Sequence, residues 1–131
     1  MNYVRHLVDY TRKSFQPLDD VSLYVDLPES TRRPSATMGG HIPDLCYKDK
    51  AVFIIGEAKT ENDIDNDHTR AQLNSYIEEI RYYDGAKHII YCTGMLSFSQ
   101  IKNIILRLKK KENLDDITFH IIDNFTRVNV I

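Results

Sequence analysis

Residues 39–76 read GGHIPDLCYKDKAVFIIGEAKTENDIDNDHTRAQLNSY, and this stretch decides the fold. Asp44 opens a short apolar segment, and Glu57 and Lys59 close a longer one after a polar turn at 48–50. Two strands joined by such a turn form a hairpin, which would bring the two acids together. Because successive side chains alternate between the faces of a strand, Glu57 and Lys59 project the same way. The pattern predicts two carboxylates and one ammonium at one edge of a sheet.

Helical and strand-like periodicities alternate along the rest of the chain. Three segments carry apolar residues every three or four positions and are predicted to be helices: 2–15, 68–83 and a third that begins after Ser97 and carries the stripe Ile101, Ile104, Ile105 and Leu108. Short alternating or continuous apolar runs predict further strands at 21–27, 87–93, 117–122 and 126–130. The order helix, three strands, helix, strand, helix, one or two strands predicts a three-layer α/β/α fold with a central mixed sheet. We expect residues 1–131 to form one domain.

Composition and charge exclude several classes of protein. The chain has 131 residues, 42% of them hydrophobic and 27% charged, which is typical of a globular domain. Its net charge of −2 argues against a non-specific DNA-binding protein, so any nucleic-acid surface must be local. The short apolar runs and the charged start predict neither a membrane span nor a signal peptide, and therefore a cytoplasmic protein. Cys46 and Cys92 are expected to be buried reduced thiols.

Asp44 and Glu57 are candidate ligands of Mg²⁺, with Mn²⁺ as a substitute. Mg²⁺ prefers hard oxygen ligands and keeps waters, so one or two carboxylates with a substrate phosphate suffice, and the backbone carbonyl near Ala58 is a further candidate ligand. Lys59 would stabilise negative charge on a phosphate or orient the attacking water. This set suits metal-assisted phosphodiester hydrolysis. A surface ion pair is the alternative, because exposed strands often carry alternating charges.

Residues outside the hairpin offer candidate contacts to nucleic acid. Arg32 and Arg33 lie in a long polar loop at 28–40, where they would meet phosphates or simply be solvated. His68, Gln72 and Tyr76 follow one another at intervals of four on the second helix, along a flank that could face the strand ends. His68 also fits a polar residue at a helix start, and Tyr76 also fits the apolar core stripe.

Two charged clusters are interpreted structurally. The acidic stretch 60–67 lacks the glycine and glutamate that a calcium loop starting at Asp63 would need, so we predict no calcium site there and Asp67 as a helix N-cap. The third helix, for which Ser97 and Gln100 predict a capping box, carries the densest basic cluster: Lys102, Arg107, Lys109, Lys110 and Lys111. A solvated face with cations near the helix C-terminus explains this cluster better than direct DNA contact does.

The ordered motifs Pro43-Asp44, Glu57-Ala58-Lys59 and Gln72-x-x-x-Tyr76 resemble the PD-(D/E)xK nuclease superfamily. The last motif resembles in particular the branch that includes the RecB-type and lambda-exonuclease-type nucleases, and the predicted element order from Asn2 to Thr93 is also similar to that superfamily's core. The resemblance implies a restriction-endonuclease-like fold and metal-dependent cleavage of DNA. It implies Asp44 and Glu57 as metal ligands, Lys59 as the catalytic lysine, and Gln72 and Tyr76 as active-site or DNA-positioning residues.

The first helix departs from the superfamily's pattern. Many members carry an additional acid there, whereas this chain offers only Asp9 and no glutamate. Either Asp9 serves, or Asp26 or Glu29 substitutes, or the site binds fewer metals. A catalytically inactive nucleic-acid-binding or assembly module is therefore the alternative function, and an RNA-directed nuclease is a third. Because one small core offers little surface for grasping a duplex, we also expect a homodimer or a larger assembly.

Overall fold

The computed structural model describes residues 2–16, 18–60, 66–125 and 127–131, and it has a six-stranded sheet with helices on both faces. The helices are α1 (Tyr3–Ser14), α2 (Asn66–Ile80) and α3 (Phe98–Lys111), and 3-10 turns occupy Asp20–Ser22 and Met95–Ser97. The strands are β1 (Leu23–Val25), β2 (Leu45–Lys48), β3 (Val52–Lys59), β4 (Ala86–Thr93), β5 (Ile117–Asp123) and β6 (Val128–Val130).

The sheet is mixed and its strands are ordered β1-β2-β3-β4-β5-β6. β3, β4 and β5 run parallel, whereas β2 is antiparallel to both of its neighbours and β6 is antiparallel to β5. One core, which includes Leu7 and Ile54, lies under α1, and the other, which includes Tyr76 and Ile105, lies under α2 and α3. The predicted three-layer α/β/α arrangement is confirmed.

Three parallel strands end, and two helices begin, at the same edge of the sheet. β3, β4 and β5 end at Lys59, Thr93 and Asp123, which stand in register in one row, and we call this end of the sheet the carboxyl edge. Because β2 and β6 run in the opposite direction, they begin at this edge. α2 and α3 follow β3 and β4 and therefore also begin there. The opposite end of the sheet holds the β2–β3 turn and the C-terminal ends of α2 and α3.

The hairpin and the first helix form as predicted, whereas several element ends differ. Asp49 closes the β2–β3 turn by accepting hydrogen bonds from the amides of Ala51 and Val52. The predicted strand 21–27 is wrong at both ends, because Val21 lies in a 3-10 turn that Asp19 caps and the strand spans only Leu23–Val25.

The predicted ends of α2 are also wrong. The helix begins at Asn66, so Asp67 lies inside its first turn instead of preceding it, and it ends at Ile80 instead of continuing to Tyr83. The Tyr83 hydroxyl donates to the Asp49 carbonyl, so the segment after α2 is joined to the β2–β3 turn.

The predicted capping box at Ser97 is wrong as well. Ser97 belongs to the 3-10 turn and has helical backbone angles, so its side chain makes no capping hydrogen bond to α3.

Several predictions concern residues outside the described ranges. Asp63 and Thr126, on which we based the absence of a calcium loop and the start of the last strand, both fall there. Within the described ranges, no helix combines the length and the apolar composition that crossing a bilayer requires. Cys46 and Cys92 are unpaired thiols, and burial raises their pKa values to about 11 and about 12.

A pair of histidines, the buried His120 and the half-buried His88, lies between the sheet and α1. The Tyr10 hydroxyl lies 2.7 Å from Nδ1 of His120, whose Nε2 lies 2.9 Å from Nδ1 of His88. The Phe15 ring packs edge-on against both imidazoles. Burial, and next the neighbouring His88, lowers the pKa of His120 to about 4, and burial also lowers the pKa of His88. The fold therefore holds both rings neutral at neutral pH.

We expect the free energy of unfolding to fall as the pH is lowered. In an unfolded chain a histidine takes up a proton near pH 6.5, whereas the folded protein keeps His120 neutral down to about pH 4. Acid therefore favours the unfolded state between these two values. Urea unfolding at several pH values should show the stability of the wild type, relative to His120→Gln, falling by about 3 kcal/mol across that window.

His68 provides the matched control because it is an exposed histidine at the start of α2. The His68→Gln protein should keep the pH dependence of the wild type. A difference in stability between the wild type and His120→Gln that does not change with pH would contradict this account.

Candidate active site

Asp44 and Glu57 are cross-strand neighbours at the carboxyl edge. Leu45 pairs with Gly56, and the next position along the ladder sets Asp44 opposite Glu57 on the face covered by α2. The Asp44 amide donates to the Gly56 carbonyl at 3.0 Å, and the two carboxyl groups lie within hydrogen-bonding reach of each other. The structure thus brings together the two acids that the hairpin predicts.

Ala58 contributes backbone groups to the same site. Its amide donates to Oδ2 of Asp44 at 2.8 Å, which fixes the orientation of that carboxylate. Because the N–H and C=O of one residue in an antiparallel strand face the same neighbour, the Ala58 carbonyl also faces the side of Asp44. A depression of about 340 Å³ opens beside these groups, lined by Asn2, Tyr3, Val4, Asp44, Ala58 and Thr60. A ligand can therefore reach Asp44 and Ala58 from solvent.

Lys59 lies two residues after Glu57 and on the same face of β3. Both side chains are buried, each with only 7% of its surface exposed. Thr93, the register partner of Lys59 on β4, is fully buried, and its hydroxyl has no hydrogen-bond partner. Lys59 is therefore held close to the acids by the strand and not by a flexible loop.

Asp44 and Glu57 are two neighbouring acids in a poorly solvated part of the protein. Burial, then the hydrogen bond with Asp44, and then the charge of Asp44 raise the pKa of the Glu57 carboxyl well above its ordinary value. A hydrogen bond from Tyr76 and the charge of Lys59 act in the opposite direction, but they do not compensate. Such a site favours a cation that neutralises both carboxylates.

The second helix contributes two buried hydrogen-bonding side chains, of which Tyr76 contacts Glu57 and Gln72 contacts Tyr91. The hydroxyl of Tyr76, which is fully buried, donates to Oε1 of Glu57 at 2.5 Å. Gln72 is also buried, and its Oε1 accepts from the Tyr91 hydroxyl at 2.9 Å, which leaves its amide nitrogen as the donor. Burial, and next the charge of Glu57, raises the pKa values of both tyrosines, so each remains a protonated donor. Tyr76 is thus both a core residue and a site residue.

The ligand atoms at this site suit Mg²⁺ better than a metal ion that is coordinated entirely by protein atoms. Asp44, Glu57 and the Ala58 carbonyl offer hard oxygen ligands, and Mg²⁺ completes its shell with waters and substrate oxygens. In the part of the chain that the structure describes, no group of three or more His, Cys, Asp or Glu side chains is arranged to hold a metal ion. A zinc site is disfavoured because no histidine or cysteine joins the pair in these residues.

Of the three acids considered as an additional ligand, Asp26 is joined to Asp44 by a backbone hydrogen bond. Its amide donates to the Asp44 carbonyl at 2.9 Å, and its exposed carboxylate lies 3.8 Å from Arg33. Glu29 pairs with Arg5 at 2.5 Å, and Asp9 is exposed on α1.

The two loop arginines are both exposed, but they occupy different places. Arg33 lies beside Asp26 near the carboxyl edge, and it donates to the Pro28 carbonyl. Arg32 lies alongside β1, where its carbonyl accepts from the Val25 amide.

The loop itself is anchored on α2. Thr37 and the Gly39 amide bond to the Ser75 hydroxyl, and a Cβ on Gly39 would approach that oxygen to 2.5 Å. Glycine at position 39 is therefore required by close packing against α2, which the sequence pattern did not indicate.

The structure also places His68 and the basic cluster of α3. His68 is exposed at the start of α2, and its ring centre lies 5.5 Å from that of His41. The basic cluster of α3 extends towards the opposite end of the sheet, because α3 begins at the carboxyl edge and runs away from it. Lys109 to Lys111 therefore stand far from the candidate site, in agreement with the interpretation of a solvated face.

Tyr91 is the site residue that sequence reasoning missed. It lies within the apolar run of β4, opposite Glu57 in the register, and nothing in the local pattern separates it from a core tyrosine. The one usable signal was its type, since a buried tyrosine needs a hydrogen-bond partner for its hydroxyl.

Comparison with known proteins provides no family for this chain. No protein-family model matches it, and no characterised protein or solved structure shows a significant match.

Proposed function

We propose that this protein is a metal-dependent nuclease that hydrolyses phosphodiester bonds of DNA. The observation that carries the proposal is the placement of Asp44, Glu57 and Lys59 on one face of the sheet at its carboxyl edge. Open α/β sheets bind ligands beyond the carboxyl ends of their strands. The resemblance of the same residues to the PD-(D/E)xK motif also supports the proposal, and membership of that superfamily with a restriction-endonuclease-like fold is part of it.

Each residue has a task in such a reaction. Asp44 and Glu57, with the Ala58 carbonyl, would hold the cation, which when bound polarises the phosphate and activates water. The Lys59 ammonium stabilises the negative charge that develops on the phosphate, or orients the attacking water. Tyr76 and Gln72 are positioning residues, because Tyr76 holds the Glu57 carboxylate and Tyr91 holds the Gln72 amide.

A cleavage panel tests the proposal. Single-stranded DNA, duplex DNA and RNA are incubated with the protein in Mg²⁺, in Mn²⁺ and in chelator. We expect cleavage of DNA in either metal and none in chelator, because the carboxylates alone cannot neutralise the charge on the phosphate. Equal cleavage in chelator and in Mg²⁺ would contradict a metal-dependent mechanism, and cleavage of RNA alone would favour the RNA-directed alternative.

A catalytically inactive nucleic-acid-binding or assembly module is the second candidate. It is favoured by the scarcity of acids around the pair, because Asp9 is exposed and Glu29 is engaged by Arg5. Calorimetric titration with Mn²⁺ discriminates the two functions, since a module without catalysis has no need to bind metal. A nuclease should bind the ion, and Asp44→Asn, which preserves the acceptor for the Ala58 amide, should weaken binding at least about tenfold.

The assembly state belongs to the same proposal. A homodimer, or a place in a larger complex, would supply the surface that a 131-residue chain lacks for enclosing a duplex. It stays a prediction from the size of the chain.

A further inference from the structure

Arg127 lies at the carboxyl edge, where its side chain is held in place. It belongs to neither the hairpin nor the second helix, which form the candidate active site. It lies in the connection between β5 and β6. Its Nε is 3.4 Å from Oδ2 of Asp123, its Nη2 donates to the Met95 carbonyl at 3.3 Å, and its Cζ lies 3.8 Å from the centre of the Phe98 ring. Contacts on three sides therefore fix the guanidinium.

Asp123, the acid that pairs with Arg127, is itself held in one orientation by hydrogen bonds. Asp123 is 2% exposed, and its Oδ1 accepts from the amides of Phe125 and Arg127 at 2.8 and 2.9 Å. Arg127 in contrast keeps 49% of its side chain exposed. A guanidinium carries five N–H donors, of which one makes the hydrogen bond to the Met95 carbonyl, while Nε lies in the ion pair with Asp123. The Arg127 side chain is thus held in one orientation, while some of its N–H donors face solvent.

Arg127 lies within reach of the candidate active site. Asp123 is in register with Thr93, and Thr93 is in register with Lys59. Adjacent strands are about 4.8 Å apart, so the backbones at Lys59 and Asp123 are separated by roughly 10 Å. That distance is short enough for the phosphates of neighbouring nucleotides to reach both ends of the row.

Two further features give this part of the edge a preference for anions. α3 begins at Phe98, whose ring lies against the guanidinium, and the side chain of Ser97, the residue before it, makes no capping hydrogen bond. The helix dipole favours a negative group near such a helix start. Independently, the hydroxyl of Thr93 is fully buried without a hydrogen-bond partner, and it stands in the row between Lys59 and Asp123. A phosphate seated over this row would meet donors from both sides.

We propose that Arg127, beside the start of α3, binds a second backbone phosphate of the nucleic acid, on a nucleotide close along the strand to the one whose phosphate is held at Asp44, Glu57 and Lys59. This inference rests on the proposed function, since it extends the same substrate along the edge of the sheet. Arginine suits the role because its planar fork matches two phosphate oxygens at once. The substrate is thereby a polynucleotide that covers both positions, and not a mononucleotide.

The test measures binding and its salt dependence, with cleavage switched off. Fluorescent single-stranded and duplex DNA oligonucleotides are titrated with Lys59→Ala protein in Mg²⁺ at several salt concentrations, with and without Arg127→Gln. Each phosphate contact contributes about 0.7 to 0.9 to the slope of log K against log salt. We expect Arg127→Gln to weaken binding and to reduce the magnitude of that slope by about one.

Arg81 supplies the matched control. It is also a partly exposed arginine engaged by acids, Glu78 and Glu112, but it follows the C-terminal end of α2, at the opposite end of the sheet. Arg81→Gln removes the same charge and should leave both the affinity and the slope unchanged. An equal loss in the two variants would mean that net charge alone is measured, and would overturn the inference.

A purely structural role for Arg127 predicts a different result. Arg127 would then only stabilise the β5–β6 connection against α3, and Arg127→Gln would lower the free energy of unfolding. The slope of log K against log salt would stay at the value of the Lys59→Ala protein, and this result would overturn the inference. Should Arg127→Gln not fold, Arg127→Met retains an unbranched stem against the Phe98 ring and removes the charge. Its slope is expected to fall by the same amount, and an unchanged slope in this variant likewise overturns the inference.

Failure of this inference is separable from failure of the proposed function. DNA binding that does not depend on Arg127, in a protein that cleaves DNA with Mg²⁺, removes the second phosphate position alone. Absence of metal-dependent cleavage, with binding that still depends on Arg127, removes the nuclease and leaves a nucleic-acid-binding edge. A wild-type protein that neither cleaves nor binds DNA removes both.

Discussion

The Lys59→Ala protein is expected to remain folded and to cleave DNA at least about 10²-fold more slowly than the wild type. Lys59 shares a face of β3 with Glu57, and only 7% of each side chain is exposed. In so poorly solvated a place an ammonium interacts strongly with the charge of a phosphate, and no water can replace it at equal strength. Initial cleavage rates in saturating Mg²⁺ measure the loss, and near-UV circular dichroism checks the fold.

Lys87 gives this experiment a matched control. It lies near the start of β4, at the opposite end of the same sheet, and its side chain is 11% exposed and paired with Asp116 at 2.8 Å. Lys87→Ala removes an equally buried lysine from a strand end, so any loss common to both variants is structural. Cleavage by Lys59→Ala at the wild-type rate would remove the catalytic role that the strand geometry suggests.

The Leu7→Ala protein is expected to lose about 3 kcal/mol of unfolding free energy. Leu7 is fully buried, and it presses α1 onto the sheet at Gly56, the residue before Glu57. Removing three carbons leaves a cavity that a rigid sheet cannot close, so lost transfer energy and lost packing add together. Urea unfolding measures the change, and Leu106→Ala, at a position that is 37% exposed, should cost clearly less.

A double-mutant cycle with Gly56 isolates the contact itself. A Cβ on Gly56 would lie 3.0 Å from both δ-carbons of Leu7, closer than packed carbons normally approach. Gly56→Ala should therefore destabilise the wild type, but it should be neutral or stabilising in the Leu7→Ala protein, where the methyl group enters the vacated space. Additive effects would show that the two residues do not compete for one volume.

Local patterning predicted the elements of the fold well, for a physical reason. Side chains repeat every 3.6 residues in a helix and every 2 in a strand, so apolar spacing reveals which face is buried without knowledge of the partner. The pairing of Asp44 with Glu57 was equally accessible, because a hairpin joins residues across one short turn. The errors at Val21, Tyr83 and Ser97 all lie at element ends, where a hydrogen bond or a 3-10 turn outside the pattern decides the last residue.

Sequence by itself thus determined the three-layer class and the candidate carboxylate pair with its lysine, since each depends on contacts between near neighbours in the chain. The tertiary structure alone brought Tyr91 to Gln72 and Arg127 to Phe98. These contacts depend on the order of the strands and on where each helix begins. Strand order and helix starts depend on how whole faces pack against one another. The spacing of apolar residues shows that a face is buried, but it does not show which element covers that face.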